Sequence, residues 1–453
     1  MKRKSQPNIL FIMDDQHRYD YLGSAGASFL NTPHLDRLAE SGMQFTQCIT
    51  NCPVCAPSRI ALASGYQPSR IGSQGNNSYL PRHVTTYYQR LRDGGYQVGC
   101  VGKLDLAKPD SYNGPHGDRP QVFGWGFTHP VECEGKMHAG MFDEPRGPYG
   151  FWLQDQNLYH AFRSDYKKRS ALGWIKDASH DSVLPTSAFE DTYIGQRSAA
   201  WIDNISGDFP WHLFVSFVGP HDPFDPPTEY ADRCRKTDMP QPVKSSLESK
   251  PAWVNKRRFD MNLDEVTRTR RQYCAATELI DHQVGTIIEA LKRRGMMDNT
   301  YIIFASDHGE MLGDHGLYTK SLPYEASIRV PLIVSGPDIQ GGQSSDALVE
   351  LIDVNPTICQ LAGLTLQEGL DACSFGSVLR NDKETHREET VSAIQNFRLI
   401  RTHEYKLNQH ENEVTELYDL KNDPDELKSV TSERPDVVQN LAQRLNRRFQ
   451  FLP

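Results

Sequence analysis

No run of apolar residues in the 453-residue chain reaches the length of a membrane span. The N-terminus, MKRKSQPNILFIMDD, has a basic start but no long apolar stretch behind it. Its apolar run is only Ile9 to Met13, closed by two aspartates, which reads as a strand and not as a signal peptide. As written the sequence reads as cytoplasmic, or as periplasmic or secreted if a leader was trimmed. A basic excess is also missing. The net charge is -9, so neither nucleic acid nor a membrane is the expected partner. A local basic pocket can still sit inside an acidic protein and take a small anion. Nor is there a disulfide framework. The nine cysteines are an odd, unevenly spaced set, in a chain long enough to need none. Cys52 and Cys55 form a C-x-x-C, but no second pair or paired histidines follow at zinc spacing. A thioredoxin-like motif would follow the first strand of its domain, and this one comes after a strand and a helix. Internal repeats and low-complexity segments are absent.

What is present has the balance of a globular protein, 38% hydrophobic and 24% charged, at a length that favours two domains. Asn8 to Met13 is an apolar run without alternation, the mark of a strand buried on both faces. Thr32-Pro33 opens a helix, with threonine as N-cap and proline at the first helical position. Further helices are expected at Thr86 to Arg92 and Val266 to Leu291, and strands at Gln97 to Val101, Trp211 to Val218, Thr300 to Ala305 and Val330 to Val334. Strands alternating with helices predict an α/β fold: a large domain with a mostly parallel mixed sheet flanked by helices. From about residue 385 the pattern changes to FRLIRTHEYKLNQ and TELYDL, then an amphipathic helix from Pro435 to Phe449. This predicts a small C-terminal α+β domain with an antiparallel sheet, over 381–453, after a catalytic domain over 1–380. Residues 104–190 lack long periodic runs and read as a loop-rich insertion near the site. Trp125, Trp152, Tyr159 and His160, within it, are candidates to line an open sugar-binding pocket.

The polar clusters share one position. Asp14-Asp15, Lys103, His221 and Asp307-His308 each follow the C-terminal end of a strand, where open α/β sheets bind ligands. Adjacent acids at a strand end repel each other unless a divalent cation neutralises them. Oxygen-rich ligation favours Ca²⁺ or Mg²⁺, with Mn²⁺ compatible with one histidine. Cys55 stands at the start of a helix, followed by Pro57, Ser58 and Arg59, where backbone N–H donors favour an anion or a nucleophile. Lys103, Lys320, Arg59 and His221 supply cations and donors. Positive groups facing a metal describe a site for a tetrahedral oxyanion ester, with His221 as a candidate general acid for the leaving group.

C-A-P-S-R followed by I-A-L-A-S-G, from Cys55 to Gly65, resembles the sulfatase motif C-x-P-S-R-x(4)-[TS]-G. The resemblance continues through NILFIMDDQ, TPHLDRLAESGMQF, GYQVGCVGK, FVGPHDP, SDHGEMLGDHG with Lys320, IDVNPTICQLAG and ELYDLKNDPDE. The chain thus looks like a type I sulfatase of the alkaline-phosphatase superfamily. That resemblance implies a sulfuric ester hydrolase acting on an organic sulfate, with carbohydrate sulfates favoured, in small-molecule or oligosaccharide form. It implies that Cys55 is oxidised to formylglycine by a formylglycine-generating enzyme during maturation. One hydroxyl of the hydrated aldehyde would attack sulfur, and the other would expel sulfate. Asp14, Asp15, Asp307 and His308 match metal ligands for one divalent cation, Ca²⁺ foremost, with an oxygen of modified Cys55 completing the shell. Arg59 would hold the hydrate, Lys103 and Lys320 would grip sulfate oxygens, and His221 would serve the leaving alcohol. Asn76 falls where choline-sulfatase-like and phosphonate-hydrolase-like relatives place a substrate-contacting asparagine. The chain departs from the family at Gly102-Lys103-Leu104-Asp105, where many relatives have G-K-x-H. Asp105 would act there as a base or bind the substrate. A second GKMH, with His138, follows no comparable strand and is not assigned that role. The alternatives are a phosphonate or phosphate ester hydrolase of the same superfamily, a choline-sulfatase-like enzyme, and a catalytically degenerate binder of sulfated ligands.

Overall fold

A computed structural model describes residues 6–246 and 250–450. Its main sheet has nine strands: β1 Asn8–Asp15, β2 Gly42–Ile49, β3 Gln97–Lys103, β4 His129–Cys133, β5 Trp211–Pro220, β6 Thr300–Ser306, β7 Arg329–Ser335, β8 Gln343–Ser345 and β9 Val349–Glu350. They run in the order β4-β3-β5-β1-β6-β7-β2-β8, with β9 also on β2. β1 lies parallel to β5 and β6, and β3 lies parallel to β4 and β5; β7 runs antiparallel to β6 and β2. The sheet is therefore mixed and mostly parallel.

The unalternating run at β1 follows from its central place. Ile9, Phe11 and Met13 face one core with Ala56 and Ile60 of the helix Cys55–Ser64, and with Tyr87. Leu10 and Ile12 face the other, with Ile194 of helix Glu190–Asn204 and Ile280 and Val284 of helix Leu263–Arg293. Side chains alternate across a strand, so two covered faces demand apolar residues at every position. Each such side chain contributes roughly 1.5–3 kcal/mol on burial. The parallel register brings the C-terminal ends of β3, β5, β1 and β6 to one rim. Asp14 pairs with Ser306, and Asp15 with Pro220.

The helices foreseen at 86–92 and 266–291 occur as Tyr87–Asp93 and Leu263–Arg293. Thr86 closes a capping box with Gln89. Thr32 does not cap its helix Pro33–Glu40; its hydroxyl instead accepts from the Gly23 N–H and donates to Asp36. β2 lies beyond the strands read from the sequence. Residues 104–190 mix long irregular stretches with short elements. They hold β4 and the helices Pro120–Gly124, Lys136–Met141, Pro148–Asp155 and Tyr159–Ala171. The longer of these helices are only weakly amphipathic, so they hide from a periodicity search.

A separate antiparallel sheet follows: β10 Thr390–Ile394, β11 Phe397–Arg401, β12 Tyr405–His410 and β13 Glu416–Asp419, in sequential order. The helix Pro435–Arg448 covers it through Leu441 and Leu445, against Val391, Ile400 and Leu407. Phe397 and Leu399 of β11 pack on Ile49 and Ile328 of the large domain. Glu325, just before β7, receives Arg401 at 3.0 Å and Lys406 at 3.2 Å. No helix among the described residues is long and apolar enough to cross a membrane.

Candidate active site

Cys55 is the first residue of a helix whose ten residues are all buried. Two hydroxyls, Thr50 at 2.7 Å and Ser58 at 2.8 Å, donate to the carbonyl of Asp307. They tie the start of this helix to the end of β6. Arg59 completes the tie. Its guanidinium reaches Asp307 Oδ2 at 2.7 Å, Asp15 Oδ2 at 3.1 Å, the Lys103 carbonyl at 2.8 Å and Ser216 Oγ at 2.6 Å. A planar fork with five donors is the side chain that can bind so many acceptors at once. Gly102 must precede Lys103, because a Cβ there would lie 1.9 Å from the Ser216 carbonyl, at a φ of +112°.

Asp15, Cys55, Asp307 and His308 each bring a ligand atom within 4.8 Å of the others. His308 Nδ1 must donate to the Gly309 carbonyl, 3.0 Å away, which leaves the Nε2 lone pair free. Nε2 faces Cys55 Sγ at 3.2 Å. This is a ligand atom oriented from behind. Asp14 stands outside that set: Oδ2 is taken by His17 Nδ1 at 2.6 Å, while buried Oδ1 has no partner among the described residues. Two hard carboxylates, one imidazole and an orphaned buried oxygen suit a divalent cation. The group Asp353, Cys373 and His386 does not suit one, since Arg387 already grips both oxygens of Asp353 at 2.7 and 2.5 Å. All nine cysteines are unpaired.

Burial and Asp15 push the Cys55 thiol up, but Lys103, Lys108 and Lys320 outweigh them, and its pKa falls well below the usual thiol value. Burial likewise works against ionised Asp15. Lys103, His221, Arg59 and His308 hold it well below the carboxylate range. Lys103 Nζ lies 2.6 Å from Asp15 Oδ2.

Above this floor opens a cavity of about 310 Å³, into which Lys103, Lys320, His221, Asn76, Asp105 and His138 all face. Asn76 Oδ1 accepts from the Ala56 N–H at 3.3 Å, beside Cys55. The structure thus brings the strand-end residues, Cys55, Arg59, Lys320, Asn76 and Asp105 together, with Asp14 just behind. Asp105 lies 2.6 Å from Lys108 and 3.3 Å from Lys103, and these cations overcome burial to hold its carboxyl far below neutrality. His221 Nδ1 donates to the Asp222 carbonyl at 2.6 Å, so in the neutral ring Nε2 carries no proton; it accepts from Lys320.

The four aromatic candidates do not line the cavity. Trp152 and Tyr159 pack in the core under helices Pro148–Asp155 and Tyr159–Ala171, Trp125 packs on the other core, and His160 is exposed. Sequence reasoning missed Gln16. Its N–H donates to Asp307 Oδ1 at 3.1 Å, its amide donates to Asp222 at 3.1 Å and to Glu310, and its carbonyl accepts from Lys320. Its place directly after the two aspartates was the available signal.

The Sulfatase family model matches residues 7–364, and the chain belongs to that family. A model for the C-terminal region of N-sulphoglucosamine sulphohydrolase matches residues 313–451. An arylsulfatase of Clostridium perfringens is 28% identical, over 94% of this chain and 90% of the relative. A choline-sulfatase of Rhizobium meliloti is 30% identical, over 80% of this chain and 69% of the relative. Among solved structures, the phosphonate monoester hydrolase of Agrobacterium radiobacter superposes with a TM-score of 0.82 at 23% identity, covering 98% of this chain and 96% of that one. The protein is a sulfuric ester hydrolase.

Proposed function

We propose that the substrate is a sulfated carbohydrate and that Cys55 acts as formylglycine beside one divalent cation, Ca²⁺ foremost. The observation that carries this reading is the buried cysteine at a helix start, with Asp15, Asp307 and His308 on one side and Lys103 and Lys320 across the cavity. Asp14, Asp15, Asp307 and His308 would hold the cation, which would supply Lewis-acid stabilisation of oxygen charge. Formylglycine would supply an oxygen nucleophile that a thiol cannot. Arg59 orients that residue by fixing Asp15 and Asp307. Lys103 and Lys320 bind sulfate oxygens, and Lys320, steadied by His221 and Gln16, protonates the leaving alcohol. Asn76 holds the start of the Cys55 helix against the substrate. The match of residues 313–451 to the C-terminal model of a sulphohydrolase of an amino sugar supports a sulfated sugar, and a cavity of about 310 Å³ has room for a single sugar ring.

A choline-sulfatase-like activity draws on the similarity to the Rhizobium meliloti enzyme and on Asn76. The cavity opposes a cationic alcohol, because Lys103 and Lys108 already occupy the Asp105 carboxylate.

The test is the mass of the Cys55 peptide from protein made with a formylglycine-generating enzyme. Sulfur and two hydrogens should be replaced by one oxygen, with one divalent ion per chain by elemental analysis. Rates on sulfated sugars, choline sulfate and a phosphonate ester then rank the substrates. An unchanged thiol in fully active protein refutes the formylglycine reading, and a higher kcat/KM for the phosphonate ester refutes the sulfate reading.

A further inference from the structure

Hydrolysis of a sulfate monoester near neutral pH releases a proton. In ROSO₃⁻ + H₂O → ROH + SO₄²⁻ + H⁺ the S–O bond to the alcohol breaks, one water proton goes to the leaving oxygen, and the other must be taken away. The cavity therefore needs an acceptor as well as a donor. Its carboxylates are engaged: Asp105 is held by Lys103 and Lys108, and Asp222 by Gln16 at 3.1 Å and Lys320 at 3.7 Å. Burial opposes the ionised form of Asp222, yet His221 and Lys320 hold it down to about 2. The lysines carry protons. The free nitrogen of His221 faces Lys320.

One imidazole is left. His138 lies on helix Lys136–Met141, directly after β4, and faces the cavity. The turn before it passes close to Lys103, whose Cδ and Cε lie 3.5 Å from where a Cβ on Gly135 would stand. Among the described residues His138 makes no hydrogen bond or ion pair, and its aromatic neighbour is Phe142, with ring centroids 6.3 Å apart. We propose that His138 is the proton acceptor of this cavity, taking the proton freed at the sulfate-binding end and passing it to solvent. The charged groups that face it are Asp105, Lys108 and Lys103. Partial burial is the largest influence and favours the neutral ring, the two lysines add to it, and Asp105 opposes it. A neutral imidazole at physiological pH can accept. The inference rests on the sulfatase activity.

The test compares wild-type enzyme with His138→Gln and His138→Ala on one sulfate ester. The wild-type kcat/KM should fall on the acid side with an apparent pKa below that of a free histidine. Each variant should lose about 100-fold or more in kcat with KM within a few-fold, and the acid limb should vanish. Added imidazole should restore part of the activity of His138→Ala. The second measurement needs no turnover: in ¹³C-histidine spectra assigned with His138→Gln, inorganic sulfate should raise the His138 pKa. Variants within threefold of wild-type kcat that keep the acid limb would overturn the proposal, and so would a His138 titration that sulfate leaves unmoved. A wild-type enzyme that hydrolyses no sulfate ester while sulfate still moves His138 would instead refute the activity.

Discussion

Arg59→Lys tests whether the geometry of one guanidinium holds the floor of the site. The substitution keeps the charge but removes the fork. Arg59 makes four hydrogen bonds, to Asp307, Asp15, the Lys103 carbonyl and Ser216, with a side chain only 2% exposed. A lysine ammonium can reach one of the two carboxylates at good distance. The second carboxylate and the Lys103 carbonyl are then left short of a donor, each at about 1–2 kcal/mol, the lower part of the usual range, because Lys103 and Gln16 still donate to Asp15 and Asp307. The expected loss is about 2–4 kcal/mol. Removing the charge altogether with Arg59→Ala should cost more, about 3–5 kcal/mol, because Asp307 would lose its only guanidinium partner and Asp15 would rest on Lys103 alone for a direct ion pair at short range. Urea unfolding of the holoenzyme should show a lower midpoint at an unchanged slope, and kcat/KM should fall in parallel. A lysine variant within 1 kcal/mol of wild type would refute the reasoning, since it would mean that charge alone suffices.

Glu134→Gln should flatten the dependence of stability on pH. Burial raises the folded pKa of Glu134 to about 7 from 4.5, so the folded state binds a proton that the unfolded state has released. Its contribution is full below about 4.5 and is lost as the pH rises towards 7, on the order of 3 kcal/mol. Urea midpoints at pH 5 and pH 7.5 should differ less in the variant, and an equal difference would contradict the assignment. Asp105→Asn should lower kcat/KM by about tenfold or less and leave the acid limb of the pH–rate profile in place, because the carboxylate does not titrate near neutrality; loss of the limb would restore Asp105 as a base. Lys320→Ala should slow esters of poor leaving groups far more than nitrophenyl sulfate, since only the former need a proton. An equal loss on both would assign Lys320 to sulfate binding alone.

The sequence made the central strands and the rim legible because buried parallel strands have a plain signature and their C-terminal ends define where a site can form. Asp15, Lys103, His221 and Asp307 could be placed together on that ground alone. Cys55 and Arg59 were legible through a long motif. What stayed hidden depends on loop closure. Gln16 matters because the chain turns at a φ of +75° after β1 and sends its amide to three partners. His138 matters because β4 pairs with β3, which carries the next turn past Lys103. Trp152 and Tyr159 looked available for a sugar because their helices were not recognised. Once folded, those helices turn the rings into the core.

The tie between Glu325 and the pair Arg401 and Lys406 limits what recombination can do with this chain. Glu325 lies five positions after Lys320, so the loop that carries Lys320 leans on β11 and β12. Exchanging the last sheet with that of another sulfatase would transplant half of a buried ion network. Such a chimera should fold as two sound halves yet misplace Lys320, unless Glu325, Arg401 and Lys406 travel together. The natural unit for shuffling therefore runs from the Lys320 loop to the final helix.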